Sequence, residues 1–195
     1  MKTLKACFIG IILLFSTVNL SAQEKWSAEL RPGINFATSD LGDAELKTGY
    51  GAEVALGYRF MPHLGAYVGW GWNQFSSDNN SFAGTGDTDY EETGYTFGLQ
   101  FIHPIAESAT SYLIRIGGIY NHIEVENSTG DITADSDHGL GWEIGAGIQV
   151  DLGGDWNLRP QVGYRALSRD LDLGSVTTNV DLNYFTIGIG IAKLF

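Results

Sequence analysis

The sequence predicts an all-β fold, an eight-stranded antiparallel up-and-down transmembrane β-barrel. Apolar and polar residues alternate with period two through most of the chain, which is typical of strands whose two faces meet different surroundings. The segments between the strands alternate between short turns and longer polar loops, as expected of a barrel that crosses a membrane. The strands are predicted at about residues 26–36, 50–60, 64–75, 92–102, 111–125, 140–151, 156–169 and 183–195.

The first residues have the layout of a secretory signal peptide. A short basic head precedes an apolar run, Phe8 to Phe15, and Leu20-Ser21-Ala22 supplies the small residues of a cleavage site. The run is shorter than the ~20 apolar residues of a membrane-spanning helix. We therefore predict a cleavable signal peptide at residues 1–22 and one barrel domain at residues 23–195, with an uncleaved N-terminal anchor as the alternative.

Composition narrows the class of protein. The net charge of -12 argues against nucleic-acid binding, which needs a basic surface. Charged residues make up 17% of the chain, below the roughly 25% of ordinary soluble domains. The single cysteine, Cys7, falls within the predicted signal peptide, so we expect no disulfide in the mature chain.

Alternation alone fits two opposite barrels, and the polar face distinguishes them. This face is rich in glycine and poor in lysine, which suits the narrow interior of eight strands better than a soluble exterior. Its charges have both signs, so they can pair when buried. A soluble, secreted lipocalin-like barrel with the apolar face inside is the alternative. The charged residues predicted to line the lumen are Glu29, Arg31, Glu53, Arg59, Arg115, Glu143, Arg159 and Arg165.

Aromatic residues on the apolar face approximate the two girdles that transmembrane barrels place at the membrane surfaces. The apolar face is therefore expected to point at lipid. The set near the short turns comprises Trp26, Phe60, Phe101, Tyr112, Trp156 and Phe195. The set toward the loops comprises Tyr50, Trp72, Tyr95, Tyr120, Trp142 and Tyr164.

The last strand resembles the C-terminal signature of bacterial outer-membrane β-barrels, an alternating apolar strand that ends on phenylalanine. Lys193 departs from this pattern at a position where an aromatic residue is common. The resemblance implies that the barrel-assembly machinery reads this strand during biogenesis. The residues that would form this assembly signal are Phe185, Ile187, Ile189, Ile191 and Phe195.

The whole chain after the predicted signal resembles the small barrels of the OmpX, OmpA-barrel, OmpW and opacity-protein groups, a porin-like outer-membrane family. This resemblance implies a location in the outer membrane of a diderm bacterium, in contact with its lipid and lipopolysaccharide. Members include adhesins, evasion factors, small-solute channels and proteins of no known role. We expect a monomer.

The sequence predicts no catalytic, cofactor-binding or metal-binding residues and no cofactor. Ser136-Asp137-His138 places the three residue types of a catalytic triad side by side, but sequence neighbours seldom reach triad geometry. Two acidic pairs, Asp87 with Asp89 and Asp135 with Asp137, could meet a calcium ion, although no twelve-residue calcium loop is present.

We interpret the chain as a non-enzymatic outer-membrane barrel with a charged, packed lumen and long acidic extracellular loops for structural or surface-interaction roles. The long loops are predicted at residues 37–49, 76–91, 126–139 and 170–182. One alternative is a narrow channel for small or apolar solutes, and a second is an enzyme that modifies outer-leaflet lipid.

Overall fold

The computed structural model describes residues 25–77, 88–127, 129–173 and 176–195, so the predicted signal peptide lies outside the described residues. Among the described residues, no helix is long and apolar enough to cross a bilayer. The strands are β1 (Trp26–Ala37), β2 (Gly49–Arg59), β3 (Leu64–Ser77), β4 (Thr88–Pro104), β5 (Thr110–Asn127), β6 (Ile132–Asp135), β7 (Gly139–Gly153), β8 (Trp156–Leu173) and β9 (Val176–Leu194).

Eight of these strands form a closed antiparallel barrel, which confirms the predicted fold class. Each barrel strand pairs with the next along the chain, and β9 pairs with β1. Strand β6, which the sequence did not predict, pairs with β5 beyond Asn121, where the pairing of β5 with β7 ends. Closure leaves no sheet edge within the lipid, where unpaired backbone groups would be costly.

The start of β1 and the C-terminal residue meet at one end of the barrel, which we call the turn end. There the Phe195 backbone N–H donates to the Trp26 carbonyl oxygen (2.9 Å). The short connections also lie at this end, and we call the opposite end the loop end. In the turn between β7 and β8, Gly153 and Gly154 have φ of 82° and 59°, a backbone region that glycine enters at little cost.

Near the turn end and through the middle of the barrel, apolar side chains face outward and polar side chains face inward. Strand β5 shows this arrangement. Ile116 is 58% exposed on the outer surface, whereas Arg115 is buried inside. Leu113 and Ile119 of the same strand also face inward, although they are apolar.

Toward the loop end, the two faces exchange character. On β5, Glu124 and Glu126 now point outward, while Ile123 and Val125 are buried. The inward residues form a second, apolar core that fills the loop end of the barrel. It comprises Leu41, Ala44, Phe75, Tyr90, Ile119, Ile123, Val125, Ala134, Leu167, Leu171, Val180, Leu182 and Tyr184.

The loops predicted at 76–91 and 170–182 are therefore too long. Strand β3 reaches Ser77 and β4 starts at Thr88, while β8 reaches Leu173 and β9 starts at Val176. The reason is that the alternation continues with its faces exchanged. Acidic residues outside and apolar residues inside give the segment the overall polarity of a loop, although its period remains two.

The exchange of faces predicts where a new charge is tolerated. Ile116→Arg places a charge among lipid tails and is expected to lower the free energy of unfolding by about 2–4 kcal/mol. The matched change Asp181→Arg, on the outer face near the loop end, is expected to alter it by less than about 0.5 kcal/mol. Urea unfolding in lipid vesicles measures both, and equal losses would contradict the assignment of the two zones.

Candidate functional site

A network of buried charges fills the middle of the lumen, and Glu29 on β1 is its first centre. One carboxylate oxygen, Oε2, accepts hydrogen bonds from Arg115 Nη2 (2.5 Å) and Arg159 Nη1 (2.7 Å). The other oxygen, Oε1, accepts one from Gln161 Nε2 (2.9 Å). Because these partners come from β5 and β8, Glu29 ties three strands together across the lumen.

Glu53 on β2 is the second centre. Its Oε1 accepts a hydrogen bond from Arg31 Nη2 (2.7 Å), and its Oε2 accepts one from Arg165 Nη2 (2.5 Å). Arg115 Nη1 lies 3.7 Å from Glu53 Oε1, so the same guanidinium links Glu53 to Glu29. Each buried carboxylate thus has more than one cation, which offsets the cost of removing it from water.

Arg165 extends the network toward the loop end through Glu143. Its Nε donates to Glu143 Oε2 (2.9 Å), and the Tyr67 hydroxyl donates to Glu143 Oε1 (2.5 Å). The guanidinium of Arg115 lies over the Tyr67 ring, 5.1 Å from its centroid. Side chains from β3, β5, β7 and β8 therefore contact one another in the middle of the lumen.

Glu92 on β4 is a further carboxylate of the interior that the sequence analysis missed. It accepts hydrogen bonds from the Tyr184 hydroxyl (2.5 Å), from Asn73 Nδ2 (2.6 Å) and from Asn121 Nδ2. Arg165 Nη1 lies 3.8 Å from it. Its position two residues before Gly94, on the same face of the strand, was the signal that could have identified it.

The structure brings together seven of the eight predicted lumen charges: Glu29, Arg31, Glu53, Arg115, Glu143, Arg159 and Arg165. The eighth, Arg59, lies at the turn end of β2 and is half-buried. Its backbone N–H donates to the Lys25 carbonyl oxygen (2.7 Å). Arg59 therefore belongs to the rim of the barrel.

A small cavity lies beside the network. A cavity bordered by Arg31, Glu53, Arg115, Gln161 and Arg165 offers about 40 Å³ to water-sized molecules. A buried water needs about 10–15 Å³ measured in this way. A cavity of this size has room for a few water molecules.

The described part of the apolar core occupies the loop end of the lumen. Leu41 and Ala44, from the connection between β1 and β2, are completely buried in it. The rings of Phe75 and Tyr184 meet edge to face with centroids 5.1 Å apart. We call residues 38–48 the cap loop, since its apolar side chains lie over the charged network.

The candidate triad residues do not converge. Ser136 is buried, and its Oγ accepts a hydrogen bond from the Ile123 backbone N–H (2.8 Å). His138 is exposed and stacks on His122, with ring centroids 4.4 Å apart. Asp137 is exposed as well. The Ser136 hydroxyl thus satisfies a backbone N–H group of β5.

The outer surface near the loop end is acidic where β4 meets β5. Asp89 lies opposite Glu126 across the strand pair, and Glu91 lies opposite Glu124. Partial burial, together with the like charges of Glu91, Glu124 and Asp89, raises the pKa of Glu126 above its usual value. Asp87, which the sequence analysis considered beside Asp89, lies outside the described residues.

The outward face of β9 carries the predicted assembly signal. Phe185, Ile187, Ile189 and Ile191 are exposed on the outer surface of the barrel. Lys193, the residue that differs from the family pattern, points toward the turn between β7 and β8. Its Nζ lies 3.0 Å from Asp155 Oδ2 and 5.7 Å from the Trp156 ring centroid. This position lets the ammonium leave the lipid for the membrane surface.

The family model of the outer membrane protein beta-barrel domain matches residues 10–192. The chain belongs to this family. With its closed barrel and lipid-facing apolar surface, the protein is located in the bacterial outer membrane. The turn end is accordingly periplasmic and the loop end extracellular.

Solved outer-membrane barrels share the fold. Neisserial surface protein A (NspA) superposes with a TM-score of 0.65 at 16% identity, covering 87% of this chain and 97% of that one. OprG from Pseudomonas aeruginosa gives 0.57 at 14% identity, covering 89% and 99%. The E. coli outer membrane protein W gives 0.57 at 16% identity, covering 89% and 100%. A comparison with curated protein sequences finds no significant match.

The geometry predicts that Glu29 is a major contributor to stability. Glu29→Ala leaves Arg115 and Arg159 without their shared carboxylate, and we expect the free energy of unfolding to fall by about 3–5 kcal/mol. Glu107→Ala, in an exposed periplasmic turn, is the matched control and should change little. Urea midpoints in detergent micelles compare the two, and a Glu29 variant as stable as the control would refute this role.

Proposed function

We propose that this outer-membrane protein is a closed, non-enzymatic barrel whose interactions take place at its extracellular surface. The observation that carries the proposal is the double filling of the lumen. The charged network occupies its middle, and the apolar core with the cap loop occupies its extracellular end.

A closed lumen argues against the channel alternative. An ion or solute entering from outside would meet the apolar core first and then the Glu29 and Glu53 ion pairs. Opening a path would require breaking buried pairs that cost several kcal/mol each when one partner is lost.

The arrangement of polar side chains supports a non-enzymatic role. A nucleophile for lipid chemistry would need a base within hydrogen-bond reach and an opening toward the outer leaflet. Ser136 is the one member of the candidate triad that could be a nucleophile. Its hydroxyl oxygen accepts a hydrogen bond from the Ile123 backbone N–H, and its own backbone N–H donates to the Ile123 carbonyl oxygen. The acidic outer face of β4 and β5 instead offers charge for recognition.

The partners we propose follow from these surfaces. Outer-membrane lipid surrounds the apolar outer surface of the barrel. Divalent cations bridge the acidic outer face of β4 and β5 to the phosphates of lipopolysaccharide. The barrel-assembly machinery reads the outward face of β9 during biogenesis. NspA is a surface protein by its name, which supports a role at the cell surface. We propose a monomer that binds no nucleic acid.

The proposal predicts an electrically silent protein. Planar bilayers containing the refolded mature chain should show no discrete conductance steps, because the ion pairs and the apolar core both block the lumen. The double variant Glu29→Ala/Arg159→Ala removes two side chains from the middle of the lumen but leaves the apolar core in place, so it is expected to stay silent as well. Reproducible steps from the unaltered protein would overturn the closed-barrel proposal and favour the narrow channel.

A further inference from the structure

The extracellular end of the β5 outer face carries an imidazole among carboxylates. His122 and Glu124 are two residues apart on one face of β5, and Asp135 of β6 lies opposite Glu124. Tyr120 of the outer aromatic set precedes His122 on the same face. A rise of about 3.4 Å per residue therefore puts His122 roughly 7 Å beyond the girdle, at the membrane surface.

The two ring nitrogens of His122 have different partners and therefore different roles. Nδ1 lies 2.9 Å from Asp135 Oδ1. Because a carboxylate accepts hydrogen bonds, Nδ1 is the nitrogen that carries the ring hydrogen and donates the hydrogen bond. Nε2 is then the nitrogen with a free lone pair, and it lies 3.7 Å from Glu124 Oε1. A carboxylate that fixes the tautomer of a histidine in this way is the usual support of a metal-binding imidazole.

The distance between the two remaining donor atoms suits one ion. Two ligands held at about 2.0–2.2 Å from zinc lie at most about 4.4 Å from each other, and His122 Nε2 and Glu124 Oε1 are 3.7 Å apart. His122, Glu124 and Asp135 each place a possible ligand atom within 4.8 Å of those of the other two.

We propose that His122 Nε2 and Glu124 bind a divalent transition-metal ion of the zinc class, with Asp135 orienting His122. Imidazole nitrogen favours zinc, copper or nickel over calcium and magnesium, which prefer oxygen ligands alone. His122 is preorganised by its neighbours, since its ring is 15% exposed and stacks on His138 at an interplanar angle of 13°. The sequence analysis predicted no metal site because Asp135 reaches His122 only through the pairing of β6 with β5.

Zn²⁺ titration of the mature protein, refolded in detergent micelles, tests the site. Competition against a chromophoric chelator is expected to show one saturable Zn²⁺ per chain, with Ca²⁺ unable to displace it. His122→Ala should abolish this binding, and Asp135→Asn should weaken it about 10–100-fold, because it removes the orienting acceptor. Slower gel migration after boiling than before verifies that each variant is folded.

The matched control is His103→Ala. His103 also stacks on a second histidine, His63, with centroids 4.5 Å apart, but it lies at the periplasmic end. This variant should bind Zn²⁺ as tightly as the unaltered chain. Absence of saturable binding would overturn the site and leave His122 as an ion-pair partner of Asp135 and Glu124. Unchanged binding in His122→Ala, or loss in His103→Ala, would overturn it equally.

Discussion

The architecture depends on one constraint: a strand that passes from lipid into water must exchange the polarity of its two faces. Lipid offers no hydrogen bonds, so the outer face within the membrane is apolar and every polar group points inward. Beyond the membrane, water favours polar residues outside, and the hydrophobic effect gathers apolar ones inside. On β5 the exchange takes place between Ile116 and Val125, and it divides the lumen into a charged zone and an apolar zone.

The charged zone follows from that constraint and from the narrowness of eight strands. Carboxylates and guanidinium groups excluded from lipid must satisfy each other, and Glu29 does so with Arg115 and Arg159 at 2.5 and 2.7 Å. Glycines make room for these long side chains. At Gly190, a Cβ atom would lie 2.5 Å from Glu29 Oε1, so a larger residue would displace the carboxylate. The same filling that stabilises the wall is the basis of the proposed closed lumen, which links the stability of the barrel to its proposed function.

Much of this could be predicted from the sequence, because lipid imposes a simple rule on the membrane-spanning residues. Alternation located the barrel strands, and the two-sign polar face identified Glu29 and Arg165 as lumen residues. The extracellular extensions were missed because they obey the opposite rule: Val180 and Leu182 lie among outward Asp181 and Asn183, which gives the segment the polarity of a loop. The grouping of His122 with Asp135 depends on β6, whose four residues give too short a pattern to predict.

Amide hydrogen exchange tests the central claim, that the barrel wall continues beyond the lipid around its own apolar core. Ile123, Glu124 and Val125 lie between β4 on one side and the β6 segment on the other. We expect their amides to be protected to a degree close to that of Ile116 in the membrane, and far more than the exposed Gly42 of the cap loop. Exchange of these three amides as fast as that of Gly42 would contradict the account, because it would show solvated loops starting at the membrane surface.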